Sequence, residues 1–253
     1  MSSDESDYNA LIVKNIDPIK LKVFLDGFDD YDKSIIKRIV SNTLYIKTDE
    51  MITYIIDGIK RFLSIHNKYN LYIPTSKLGS EHYIISKVFT YFNPIQIIYG
   101  EKDIVNNDYP IVLLDDAIYS SCNMCSHIDE LKFNNKKNGK KINNKFYAIV
   151  AVLSTNDVQL TREFKAEIIS KYTLDNLIVS KLFSDIYNSE FDKHLYSVFA
   201  VETSLVLSVF FEHKIANSFG SYQFYHKIIK NSVNRKMIDI LKWEDIDEII
   251  NHC

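Results

Sequence analysis

The feature that most constrains this chain is a succession of short apolar runs, each followed by a polar turn and an amphipathic segment. LYIP (71–74), PIQIIYG (94–100), YPIVLL (109–114) and FYAIVAVL (146–153) are the runs. They are apolar at consecutive positions, where a half-buried strand would alternate. A strand that is apolar on both sides must be covered on both faces, the mark of parallel strands linked by helices. EHYIISKVFTYF (81–92) supplies one such helix, and the residues after DDAIYSS supply another that reaches about Leu131. The expected class is therefore α/β with a parallel sheet. LVLSVFF (205–211) reads as a late strand, and LTREFKAEIISKYTL reads as strand or helix. LIVSKLFSDIY and MIDILKWEDIDEII (237–250) read as helices.

The first 70 residues follow a different period. Residues 1–15 read as a short tail. Pro18 suits a first helical position, and Leu21, Phe24, Leu25 and Phe28 follow at helical spacing. Ile35, Ile36, Ile39 and Val40 repeat the pattern, and a third helix starts near Thr48 or Asp49 with Met51, Ile55, Ile59, Phe62 and Leu63. The expected organisation is a tail (1–15), an N-terminal helical segment (16–70), and an α/β domain (71–253) ending in a small C-terminal hood.

Composition closes off several function classes. The chain has only 6 glycines in 253 residues, against a usual share of about 7%. Their spacing leaves no G-x-G-x-x-G fingerprint, no G-x-x-x-x-G-K-[ST] phosphate loop and no G-x-S-x-G elbow. A net charge of -3 argues against a general nucleic-acid binder. Three cysteines are too few for a disulfide framework and fit a reducing compartment, so a cytoplasmic location is expected. The start MSSDESDYN lacks the basic and apolar pattern of a signal peptide, and no apolar run reaches the length of a membrane span. The Lys/Asn-rich segment 132–145 reads as a solvated loop, enriched by AT-rich coding. Cys122, Cys125 and His127 fall short of the four ligands of structural zinc, and Cys125 and His127 diverge on a helix.

The chemistry concentrates in IVLLDDAIYSSCN (111–123). An apolar strand runs into adjacent carboxylates, Asp115 and Asp116, then a hydroxyl-rich turn and a helix. Ligands of open parallel sheets bind beyond the carboxyl ends of the strands. A helix start there offers free N–H groups to an anion. Ser120, Ser121 and Asn123 add donors, so a phosphorylated sugar fits beside the two acids.

This stretch resembles the signature of the type I phosphoribosyltransferases: an apolar strand, an acid pair, two mostly apolar residues, then a hydroxyl-rich phosphate loop. LYIP followed by Thr75-Ser76-Lys77-Leu78-Gly79-Ser80 and a helix is similar to the family's pyrophosphate loop. The polar loop 100–109 sits where the family has its flexible catalytic loop, with Lys102 its only base. The N-terminal segment and FFEHKIANSFGSY (210–222) resemble divergent members tied to biological conflict systems and large DNA viruses.

The resemblance implies a phosphoribosyltransferase-like core that binds phosphoribosyl pyrophosphate or a nucleotide. It implies transfer to or from a nucleobase, with Asp115, Asp116 and Lys102 in catalytic positions. Lys77, Gly79 and Ser80 would hold pyrophosphate, and Ser120, Ser121 and Asn123 the 5-phosphate. His213 and Lys214 would face the acceptor, with Glu212 beside them. Mg²⁺ would come with the substrate and be held by Asp115 and Asp116. The resemblance also allows a homodimer, and the partner it implies is a small molecule. Ser121 stands where the family has Gly, and Tyr119 where it has a hydroxyl or acidic residue. The alternative is a module that kept the fold and lost turnover.

Overall fold

The structure, a computed structural model, describes residues 10–75, 79–118, 122–154, 158–174, 183, 209–212, 219–231, 242, 244 and 248. In chain order the elements are α1 (Pro18–Leu25), α2 (Asp30–Asn42), β1 (Leu44–Ile46), α3 (Thr48–Leu63), β2 (Asn70–Ile73), α4 (Ser80–Val88), a 3₁₀ turn (Phe89–Tyr91), β3 (Gln96–Tyr99), β4 (Ile111–Ile118), α5 (Cys122–Lys137), β5 (Phe146–Ser154), α6 (Val158–Phe164), β6 (Glu167–Leu174), β7 (Val209–Phe211) and α7 (Phe219–Ile228). The chain divides into two compact units, Met1–Thr48 with Asp175–Arg235, and Asp49–Leu174 with Lys236–Cys253.

In the first unit, Asp17 accepts the N–H groups of Ile19 and Lys20 and so starts α1 with Pro18 in its first turn. Asp29 does the same for α2 through the N–H of Asp32. The α2 stripe of Ile35, Ile36, Ile39 and Val40 packs with Leu21, Phe210, Phe224 and Tyr225. The unit also holds a strand absent from the expected helical segment. β1 pairs in parallel with β7, Leu44 opposite Val209 through Ile46 opposite Phe211. Three residues are too few for a strand period to register, and the partner lies far along the chain. Part of the expected tail packs as well. Asn15 is buried, exchanges hydrogen bonds with the Asn231 backbone, and precedes an Ile16–Ile229 bridge.

The second unit is α/β, with a five-stranded parallel sheet in the order β3-β2-β4-β5-β6. Phe146, Ala148 and Val150 of β5 pack with Ile128 and Leu131 of α5 and Leu160 and Phe164 of α6. Alternate strand residues point to the other face, and there α3 covers the sheet. The Phe62 ring lies 5.0 Å from that of Tyr147. Gly58 brings the α3 backbone so close that a Cβ would sit 2.5 Å from Ile149 Cγ2. Thus α3, expected with the N-terminal helices, belongs to the sheet unit from Asp49 onward, because its Met51, Ile55, Ile59 and Phe62 stripe is fully buried.

The ambiguous 160–174 stretch contains both candidates in succession, α6 and then β6, with Lys165 at φ 51 between them. The expected Lys-rich loop is helical in its first part, since α5 continues to Lys137 and buries Asn135 completely. LIVSKLFSDIY and 237–250 lie outside the described residues, apart from Phe183, Lys242, Glu244 and Glu248. Among the described residues no helix is long and apolar enough to cross a membrane.

Candidate functional site

The strand order creates a topological switch. The connection after β2 leads to β3 on one side of it, and β4, β5 and β6 follow on the other. Crevices open at such points, beyond the carboxyl ends of the strands. The two loops singled out by sequence follow β2 and β4, which are hydrogen-bonded neighbours, Asn70 opposite Ile111 and Leu71 opposite Val112. A hydrogen bond joins these elements: the Ser80 hydroxyl at the start of α4 donates to Asp115 Oδ1 at 3.2 Å. A cavity of about 40 Å³ lies there, with Tyr72, Glu81, Asp115, Asn123 and His127 among its walls.

The acid pair does not end its strand. β4 continues beyond it, pairing Ala117 with Val152 and Ile118 with Leu153. Asp116 gives its N–H to Asp115 Oδ1 at 2.8 Å, and the ladder skips it. This is a side chain competing with the sheet for a backbone donor. The two acids end in different surroundings. Asp115 is half-buried and lines the cavity, whereas Asp116 is fully enclosed.

Both ends of the loop after β2 are fastened by His82, which is itself fully buried. Its Nδ1 accepts the Gly79 N–H at 3.1 Å, and its Nε2 lies 2.7 Å from the Pro74 carbonyl oxygen. A backbone N–H only donates and a carbonyl only accepts, so these two contacts are met by the tautomer with its proton on Nε2. Gly79 has extended backbone, φ -143, and the Glu81 carboxylate lies over it, 2.5 Å from where a Cβ would be. Lys77, between these two ends, lies outside the described residues, as do Ser120, Ser121, His213 and Lys214. Asn123 is exposed in the first turn of α5. Glu212 follows β7, and its carboxylate accepts the Thr48 N–H at 2.9 Å at the start of α3.

The loop 100–110 is tied down by asparagine amides. Asn135 accepts the Val105 N–H at 2.9 Å and donates to the Asp103 carbonyl at 2.8 Å. Asn70 and Asn107 exchange amide hydrogen bonds, and Asn144 donates to the carbonyls of Asn107 and Tyr109. At its start Gly100, at φ +86, is required twice over. An L side chain strains that conformation, and a Cβ would meet Thr75 Oγ1 at 2.4 Å. Lys102 is exposed on this loop.

Sequence reasoning missed a polar cluster against the cavity. Glu101 Oε1 accepts the Tyr72 hydroxyl at 2.9 Å and lies 2.7 Å from His127 Nδ1. Asn134 donates to the Glu101 carbonyl. Burial pushes the Glu101 carboxyl up, but its own backbone N–H, the Tyr72 hydroxyl and His127 outweigh that and hold it below its ordinary value. Burial, then Glu101, drives the Tyr72 hydroxyl far above the ordinary phenol value. Residues 72, 101 and 127 are too widely separated for any motif to flag them. His127 is therefore engaged by a carboxylate, and Cys125 packs in the core. Among the described residues no group of three or more His, Cys, Asp or Glu is placed to hold a metal ion.

No protein-family model and no curated protein matches this chain.

Proposed function

We propose that the cleft between β2 and β4 binds a phosphorylated ribose, phosphoribosyl pyrophosphate or a nucleotide, in a phosphoribosyltransferase-like core. The Ser80–Asp115 hydrogen bond carries this reading, because it links the loop–helix element after β2 to the acid-bearing strand β4. Asp115 would accept ribose hydroxyls. The start of α4, with Lys77, Gly79 and Ser80, would receive the pyrophosphate, and Ser120, Ser121 and Asn123 the 5-phosphate. The donor chemistry suits a Mg²⁺ that arrives with the pyrophosphate, held by Asp115 and phosphate oxygens. When bound it would spread the charge of the leaving group.

Transfer would break the bond from the anomeric carbon to the pyrophosphate oxygen, which keeps the electron pair. A bond to a base nitrogen would form in its place, and a proton carried by that nitrogen would pass to the departing pyrophosphate or to water. The chain's contribution would be electrostatic, with donors aimed at the departing oxyanion.

One observation favours the form of this function without turnover. Asp116 is enclosed, so a single carboxylate of the pair reaches the cavity. The cavity is about 40 Å³, below the roughly 300–1,000 Å³ of small-molecule pockets, so the ligand of either form needs the cleft to open. The form without turnover is a binding or regulatory module, one that opens for its ligand and releases it unchanged. Calorimetry with phosphoribosyl pyrophosphate, with and without Mg²⁺, tests binding. The wild type should titrate, and Asp115→Asn should bind at least tenfold more weakly. A pyrophosphate-release assay over a panel of bases separates the two forms. Sustained release would establish the transferase, and absence of binding would remove both.

A further inference from the structure

The cavity wall is acidic where the proposed ligand is anionic. Glu81 reaches it from α4 and Asp115 from β4. Among the described residues that line it, His127 is the one able to carry a positive charge. Its ring is held in place from behind. Nδ1 lies 2.7 Å from Glu101 Oε1, the oxygen that also accepts the Tyr72 hydroxyl, and the Tyr72 ring lies 5.7 Å from the imidazole. An ionised carboxylate only accepts, so Nδ1 carries a proton in either state of the ring. That leaves Nε2 as the nitrogen available to a ligand, and the His127 side chain is 22% exposed.

We propose that His127 is a ligand-binding residue of this cleft, donating from a protonated Nε2 to an oxygen of a phosphorylated ligand. Glu101 and Tyr72 are positioning residues that fix its ring and tautomer. The inference rests on the function proposed above and adds a specific consequence: the ligand and a proton bind together. The charged and titratable groups near the cluster are acidic or phenolic. They are Glu101 from the loop after β3, Tyr72 from β2, Glu81 from α4 and Asp115 from β4, with Glu130 of α5 acting on Tyr72. A phosphate bound at Nε2 brings negative charge against the ring, and an adjacent anion favours the charged form of an imidazole. By linkage, affinity is highest where the ring is already protonated and falls as pH rises, by up to about tenfold per unit for one linked proton.

Calorimetric titration tests this in two buffers of different ionisation enthalpy, across about pH 6 to 8, where imidazoles titrate. The probes are phosphoribosyl pyrophosphate, ribose 5-phosphate and inorganic pyrophosphate, so the ligand portion that takes the proton is identified. The wild type should take up a proton on binding. His127→Gln should lose that uptake and bind with a flatter pH profile; the ligand's own titration is common to both proteins and cancels. Glu101→Gln should keep binding but move the profile to lower pH, a change that loosened packing alone does not make. Should His127→Gln not fold, the wild-type ¹⁵N shift of His127 Nε2 reports its protonation with and without ligand. Binding without uptake, or an unchanged profile in His127→Gln, overturns the inference and leaves the proposed function standing. No binding of any probe at any pH overturns both.

Discussion

Glu101 is the carboxylate whose protonation weakens the cluster against the cavity. Its carboxyl is held below its ordinary value in the folded protein, after burial, by its own N–H, Tyr72 and His127. The unfolded chain binds that proton more readily, so the stabilisation is present above the unfolded value, about pH 4. It is lost as pH falls through the lower folded value. Urea denaturation between about pH 3 and 6 should show a shallower acid limb in Glu101→Gln than in the wild type. The glycines give a second residue-scale test. Gly100→Ala meets both a φ of +86 and Thr75 Oγ1, and should lose roughly 2 kcal/mol or more. Gly139, at φ +74 with open space around it, should lose only about 1 kcal/mol as alanine. Gly79→Ala faces only the movable end of Glu81. It should melt within about 2 °C of the wild type yet bind phosphoribosyl pyrophosphate more weakly, through loss of close approach to the α4 start. Gly79 was legible in sequence because a loop between strand and helix announces itself locally. Glu101 was not, since its importance comes from partners on two other elements.

At the scale of elements, the asparagines of the chain acquire a physical role. Asn70, Asn135 and Asn144 are buried and spend their amides on the 100–110 segment and its flanks. A compositional bias toward Asn therefore conceals a bracing system, which composition alone cannot reveal. Asn135→Ala strands the buried Val105 N–H and the Asp103 carbonyl. It should destabilise by about 1–3 kcal/mol and speed amide exchange across 100–110 while leaving β5 protected. Unchanged exchange there would mean that the asparagines do not brace the loop. The strands were legible as apolar runs, with ends displaced by a few residues. β4 passes through its acids because Ala117 and Ile118 still find Val152 and Leu153, a register set by the neighbouring strand. β1 was invisible for the same reason, having three residues and a distant partner.

For the whole molecule, the alternation of apolar runs and helices carried the class: an α/β unit with a five-stranded parallel sheet. The boundary between the units was not legible. α3 has the same amphipathic period as α1 and α2, and which surface it covers depends on the shape of the sheet beside it. The strand order brings the loop after β2 and the strand bearing Asp115 together at one switch point, and the proposed ligand site rests on that juxtaposition. The most direct measurement is hydrogen–deuterium exchange of the whole chain with and without phosphoribosyl pyrophosphate and Mg²⁺. The account predicts ligand-dependent protection in peptides covering 74–83 and 115–127, reduced in Asp115→Asn, with the opposite sheet edge at β6 unaffected. Protection confined to other segments, or none at saturating ligand, would contradict it.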